Sequence, residues 1–308
     1  MQARDREISL IADGFHFLEG PRWHQGQLFF SDFYGGKVYS LDARNHVSTV
    51  CQWTKWVSGI GFAPNGDLLF VAVTEKKLMR YRDGQFSEVA DLGRFTSHSC
   101  NDMLVDEAGR AYIGNFGFNI PAPDATGPLE AGEYVAATDI LLVTPEGEVR
   151  IAGSDLVFPN GMTRSPDGRT LIVAETFRGR LSAFDIADDG TLSGHRTFAD
   201  FAGRDFATVR DSLASGASLP DGICADSEGA VWIADINARG VSRVAPGGEI
   251  LESISTGDLS VFAVALGGPD LKTLYMCAAP PFYSHDPSVD QKGVLLATQV
   301  DVPGIAEV

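Results

Sequence analysis

Short apolar runs alternate with glycine-centred turns along the whole chain, and the alternation is periodic. The clearest copies of the unit read LEGPRWHQGQLFFSD, VSGIGFAPNGDLLFVAV, NDMLVDEAGRAYIGN, PNGMTRSPDGRTLIVAE and PDGICADSEGAVWIAD, with a degenerate sixth in VFAVALGGPDLKTLYMCA. Each opens on a short pair of residues. The chain then turns near Gly26, Asn65-Gly66, Gly109, Asp167-Gly168 or Gly229 and returns through FF, LLFV, YI, LIV or VWI. Apolar runs of this length between turn residues are strand hairpins. A third run follows each hairpin, from KVYSLD in the first copy to GVLLATQV in the last, and a shorter fourth closes most of them, as in VSTVCQ and FSEVADL.

Aligned on the opening pair, the leading positions are Glu19, Ser58, Asn101, Asn160, Asp221 and Phe262, at steps of 39, 43, 59, 61 and 41 residues. These steps sit at or above the length of one four-stranded propeller blade. The pattern predicts an all-β, six-bladed propeller of four-stranded blades, with residues 1–308 as a single domain. The last copy has no convincing fourth strand after Gln299, so the segment Ile8 to Ala12 is assigned to it. Joining the first and last strands in one blade closes the ring and removes an exposed sheet edge. Two insertions exceed the blade length: residues 118–138, read as a lid, and residues 203–219, read as carrying a short helix. The loop 280–293 adds Phe282 and Tyr283 as expected pocket walls.

Composition adjusts this picture in few places. With 308 residues and 44% hydrophobic content the chain can bury a large core. The formal charge of −17 argues against nucleic acid or an anionic membrane as partner, since both require a cationic face. No segment approaches a membrane span or a secretory leader, so a cytoplasmic location is expected. The four cysteines, Cys51, Cys100, Cys224 and Cys277, are far apart and read as free thiols. Oligomeric state is not legible.

The candidate chemistry lies in the leading position of the repeat. The innermost strands of a propeller line a central channel, so equivalent positions converge on one ring. Glu19, Asn101, Asn160 and Asp221 bring two carboxylates and two amide oxygens to that ring, with Ser58 and Phe262 filling the remaining places. Hard oxygen donors with a formal −2 charge suit a divalent cation, and calcium accepts six to eight oxygens. Taken singly, Asn-Gly and Asp-Gly are ordinary turn signals, and only their shared register sets them apart. Asp32, Asn115, Glu175 and Asp235 end the returning strands; they are read either as partners orienting the ring donors or as polar strand ends facing solvent. His98 lies near the ring in sequence, and there is no G-x-S-x-G elbow or dinucleotide fingerprint.

The segments LEGPRW, NDMLVDEAGRAYIGNFG, FPNGMTRSPDGRTLIVAET and PDGICADSEGAVWIAD resemble those of the senescence marker protein, gluconolactonase and luciferin-regenerating enzyme family, over essentially the whole chain. The resemblance implies a divalent metal at the channel mouth, often calcium, with zinc, manganese, magnesium or iron(II) as alternatives. It also implies metal-dependent hydrolysis of a small-molecule lactone to a hydroxy acid. By motif match it makes Glu19, Asn160 and Asp221 metal ligands, Asn101 a further ligand or substrate contact, and Asp221 the general base or nucleophile. His98 and Asp102 are the alternative bases. Sugar-lactone members commonly carry an arginine two residues before Asn101, where this chain has Ser99. That departure, with Phe116, Phe262 and Tyr283 expected near Ser99, His98 and Asp102 around the substrate, points away from polyhydroxylated lactones. Two other readings stay open: hydrolysis of phosphotriesters or other activated esters on the same site, and a calcium-binding regulatory propeller without turnover.

Overall fold

A computed structural model describes residues 6–118, 136–281 and 284–305. Six four-stranded antiparallel sheets make up the architecture, five with their strands in chain order and one completed by the first strand of the chain. The first strand in the chain is β1 (Ser9–Phe15). The first blade follows as β2 (Leu18–His24), β3 (Gln27–Asp32), β4 (Lys37–Leu41) and β5 (Val47–Gln52), and the second as β6 (Val57–Phe62), β7 (Leu68–Ala72), β8 (Lys77–Arg82) and β9 (Gln85–Asp91). The third is β10 (Cys100–Val105), β11 (Ala111–Asn115), β12 (Ala137–Val143) and β13 (Val149–Val157). The fourth is β14 (Pro159–Arg164), β15 (Thr170–Glu175), β16 (Arg180–Ile186) and β17 (Leu192–Asp200). The fifth is β18 (Pro220–Ala225), β19 (Val231–Asp235), β20 (Gly240–Val244) and β21 (Ile250–Ser255), and the sixth is β22 (Ser260–Gly267), β23 (Thr273–Ala279) and β24 (Gly293–Gln299), completed by β1.

The expected closure is present: β1 pairs with β24, Ser9 opposite Ala297, and runs three residues beyond the Ala12 limit read from the sequence. The innermost strands β2, β6, β10, β14, β18 and β22 each touch the next, and β22 returns to β2. Apolar side chains pack between adjacent blades, Trp232 and Val264 between the fifth and sixth, Tyr112 and Met162 between the third and fourth. A closed ring leaves only short inner strand edges, protected by the neighbouring blades. Within the second insertion, α1 (Val209–Ala214) is capped by Thr208, whose hydroxyl accepts the Asp211 N–H at 3.1 Å. The lid expected over residues 118–138 falls almost wholly on 119–135, outside the described residues, as do Phe282 and Tyr283.

One irregularity recurs in all six blades. The register between the innermost strand and its neighbour slips at or beside the leading position, and in blades one to five two inner residues oppose one outer residue. Such a bulge re-aims side chains that a regular pleat would send to opposite faces. Glycine after the leading residue is the steric counterpart. A Cβ on Gly161 would lie 2.5 Å from the Asp221 carbonyl oxygen, and one on Gly222 would lie 2.5 Å from Ala263 Cα. Asn160-Gly161 and Asp221-Gly222 are therefore close-approach points inside strands, not turns.

Candidate functional site

The bulges bring the leading residues together at one end of the channel, all six buried. Four of them form a hydrogen-bonded chain across blades two to five. Ser58 Oγ donates to Asn101 Oδ1 at 2.9 Å, and Asn101 Nδ2 donates to Asn160 Oδ1 at 2.7 Å. Asn160 Nδ2 donates in turn to Asp221 Oδ1 and to Thr176 Oγ1. Thr176 passes the chain to the backbone, donating to the Pro220 carbonyl at 2.8 Å. Thr176 escaped sequence reasoning; the only local signal is its place directly after the returning strand β15, whose end faces the start of β14.

The carboxylates are poorly compensated. Burial first, then the negative charges of Asp221 and Asp102, pushes the Glu19 carboxyl well above the usual range. Burial and then Asp102 do the same for Asp221, against the Asn160 hydrogen bond. Asp102 is raised by burial, with Arg22 pulling the other way, and its Oδ1 has no hydrogen-bond partner among the described residues. Among those residues no three His, Cys, Asp or Glu side chains cluster to hold a metal ion, so any cation at the ring relies on amide oxygens as well.

Asp32, Asn115, Glu175 and Asp235 do not orient the ring donors. Each pairs across the sheet with the residue preceding a ring position (Leu18, Cys100, Pro159 and Pro220) and so shares that residue's face, opposite the donor. They are buried rather than solvent-facing. Asp32 accepts the N–H groups of His16 and Phe17 at 3.2 and 3.0 Å, Glu175 that of Val157 at 2.8 Å, and Asp235 that of Leu219 at 3.2 Å. They pin the loops entering the inner strands. Asn115 holds its own exit loop through Gly117 N–H at 3.1 Å.

Around the mouth stand aromatic rings. Phe262 packs on Phe17 at 4.5 Å, and Phe17 meets Phe33 and Tyr34 edge-on. Burial, then Asp286 and Glu19, pushes the Tyr34 phenol up to about 12, so it stays a neutral donor. Phe116 stacks on Phe158 at 4.7 Å. Ser99 and His98 sit half-buried ahead of β10; the Ser99 carbonyl accepts the Phe116 N–H at 3.0 Å, and the His98 N–H donates to Thr96 Oγ1 at 3.1 Å. At the other end of the channel is a cavity of about 260 Å³, bordered by Arg22, Thr163 and Arg164.

With this geometry in hand, comparison with known proteins is direct. A family model, the SMP-30/gluconolactonase/LRE-like region, matches residues 17–280. The chain belongs to that family. Members similar to it include a 6-deoxy-6-sulfogluconolactonase of Pseudomonas putida, 27% identical over 94% of this chain and 93% of that one. The pentonolactonase XacC of Haloferax volcanii is 27% identical over 85% of this chain and 81% of its own. Among solved folds, the calcium-binding protein regucalcin of Agrobacterium tumefaciens superposes with a TM-score of 0.77 at 19% identity, covering 98% of this chain and 96% of that one. The matched family region contains the five leading positions from Glu19 to Asp221 and Phe262.

Proposed function

We propose that the protein is a metal-dependent lactonase that opens a cyclic ester to a hydroxy acid. The observation that carries this reading is the buried ring, in which Glu19 and Asp221 meet two side-chain amides and no basic side chain among the described residues is ion-paired to either carboxylate. Family membership and the two lactonases similar over most of the chain support the same reaction class.

The donor set fits a hard divalent cation: two carboxylates raised by burial and mutual repulsion are relieved by a positive ion, and the amides add neutral oxygens. Glu19, Asn160 and Asp221 would hold it with Asn101 beside them, calcium being the best match to an all-oxygen set. When bound, such an ion polarises the lactone carbonyl and stabilises negative charge developing on its oxygen. The protein's own part is proton management. Asp221 Oδ1 is engaged by Asn160 Nδ2, which leaves Oδ2 to take a proton from water as the water oxygen adds to the carbonyl carbon. As the ring C–O bond breaks, the same proton passes to the departing alkoxide, so lactone and water give one hydroxy acid. Thr176 and Asn101 keep Asn160 turned toward Asp221.

A pH-indicator screen of aliphatic, aromatic and aldonic lactones with calcium, zinc, manganese, magnesium and iron(II) tests the proposal. Turnover that a chelator abolishes and one of these ions restores is the expected result. A folded protein that opens no lactone with any ion would sink the reading.

A further inference from the structure

Below the ring, Arg22 is a buried charge with an unusual set of partners. Its guanidinium is 8% exposed, Nη1 donates to the Pro21 carbonyl at 2.9 Å and Nη2 to the Met103 carbonyl at 2.5 Å. No ion pair among the described residues includes it. At the corresponding position the other blades carry Gly61, Leu104, Thr163, Cys224 and Ala265, none of them charged. Arg22 belongs to the first blade and Met103 to the third. The inner strand between them lies close against the third blade at Gly59, where a Cβ would stand 2.3 Å from Met103 N.

Asp102 makes the reciprocal reach. Where four other blades have glycine (Gly20, Gly59, Gly161, Gly222) and one has Ala263, the third has this aspartate. The space the glycines leave admits its carboxylate, which is 2% exposed, with Oδ1 unpartnered and about a van der Waals contact, 3.4 Å, from where a Cβ on Gly20 would stand. From the mouth inward the channel thus holds Glu19 and Asp221, then Asp102, then Arg22, which borders the cavity at the far end. Three formal negative charges share the channel with one positive charge, all on buried side chains, where charges act on each other more strongly than at the surface.

We infer that Arg22 is a positioning residue that balances Asp102 and thereby sets how tightly the Glu19–Asp221 ring holds a divalent cation. The inference rests on the metal-dependent reading above. A fixed positive charge beneath the ring repels a dication twice as strongly as it would a monovalent ion, so it keeps the site from becoming an irreversible trap. Its hydrogen bonds to main-chain carbonyls keep the charge fixed without neutralising it.

The test is calorimetric titration of calcium into metal-free protein at pH 8.5, with competition against a chelator for tight variants and no turnover needed. R22Q retains a donor for the Met103 carbonyl and loses the charge; it should bind calcium at least tenfold more tightly than wild type. R22K retains the charge and loses the planar fork; it should stay within about threefold of wild type. D102N should weaken binding about tenfold, and the double variant R22Q/D102N, with the wild-type charge sum, should return to within about threefold of wild type. Equal tightening in R22Q and R22K would mean that packing and not charge matters, and would overturn the inference, as would R22Q binding no more tightly than wild type. If R22Q is too unstable to handle without metal, D102N and the double variant decide the question alone. A wild-type protein that binds no divalent ion overturns the metal reading and this inference together, whereas unchanged affinities among binding variants sink the inference only.

Discussion

Replacing Asp221 by asparagine separates its two proposed roles. The substitution preserves volume and one oxygen, so Asn160 Nδ2 can still find an acceptor at position 221 and the chain from Ser58 through Asn101 survives. What disappears is the oxygen free to take a proton, because an amide has no basic oxygen at neutral pH. Loss of a positioned general base costs about 10² to 10⁴ in rate, and each factor of ten corresponds to about 1.4 kcal/mol of barrier. The polarising ion and bound geometry remain, so kcat should fall at least about a hundredfold and not to zero. The assay is kcat on the best lactone of the screen, at ion concentrations shown by titration to saturate both proteins, since removing one of two ring carboxylates also weakens the ion. A second readout comes from stability. In chelator the variant lacks one of the repelling buried carboxylates and should melt higher than wild type, by roughly 2 °C for each kcal/mol relieved. A variant with near-wild-type kcat at full metal occupancy would refute the assignment and move the base to Asp102 or His98.

Three further outcomes follow from the same geometry. The raised Glu19 and Asp221 carboxyls hold protons in the folded state that the unfolded chain releases above about pH 4, so in chelator their contribution is full at acid pH and is lost as pH rises through the folded values. Half-buried His24 and exposed His195, both lowered by desolvation, act in the opposite sense below the ordinary imidazole value of about 6.5, so the informative quantity is the difference in Tm with and without calcium, which should grow from pH 5 to pH 8; a constant difference would contradict the linkage. Gly161→Ala places a methyl group 2.5 Å from the Asp221 carbonyl oxygen and 2.6 Å from Gly222 Cα, both backbone atoms that cannot swing aside, so it should cost several times the roughly 1 kcal/mol of an average point mutation and weaken calcium binding; a urea midpoint equal to wild type would show that the inner strands part freely. Ser99 and the rings of Phe17, Phe116 and Phe262 predict a higher kcat/KM for aliphatic, aromatic or enol lactones than for gluconolactone or xylonolactone, measured with one ion at one pH; preference for the aldonolactones, as the names of the two lactonase relatives would favour, would overturn that specificity and leave lactone opening intact.

Much of this molecule is local, and the local part was open to reading from the chain. Each blade is a meander of neighbouring strands joined by glycine turns, so strand order follows chain order, and the missing fourth strand at Gln299 pointed to the N-terminal segment as its partner. The ring members were visible because repetition aligns Glu19, Asn101, Asn160 and Asp221 without any knowledge of their contacts. What depended on a single residue of register was not visible. The sequence places Asp32 and Glu175 at strand ends near the ring, but pleat parity sends them to the opposite face, and a shift of one position reverses that outcome. The bulges that turn Asn101 and Asp102 into the channel, the support of Asn160 by Thr176 just after the neighbouring strand, and the reach of Arg22 to the third blade arise only when six inner strands close against one another. Hydrophobic patterning encodes which face of a strand is buried. Only the closed ring decides which buried polar groups meet, because that depends on distances between segments some 40 to 80 residues apart, as in Ser58 to Asn101 and Arg22 to Met103.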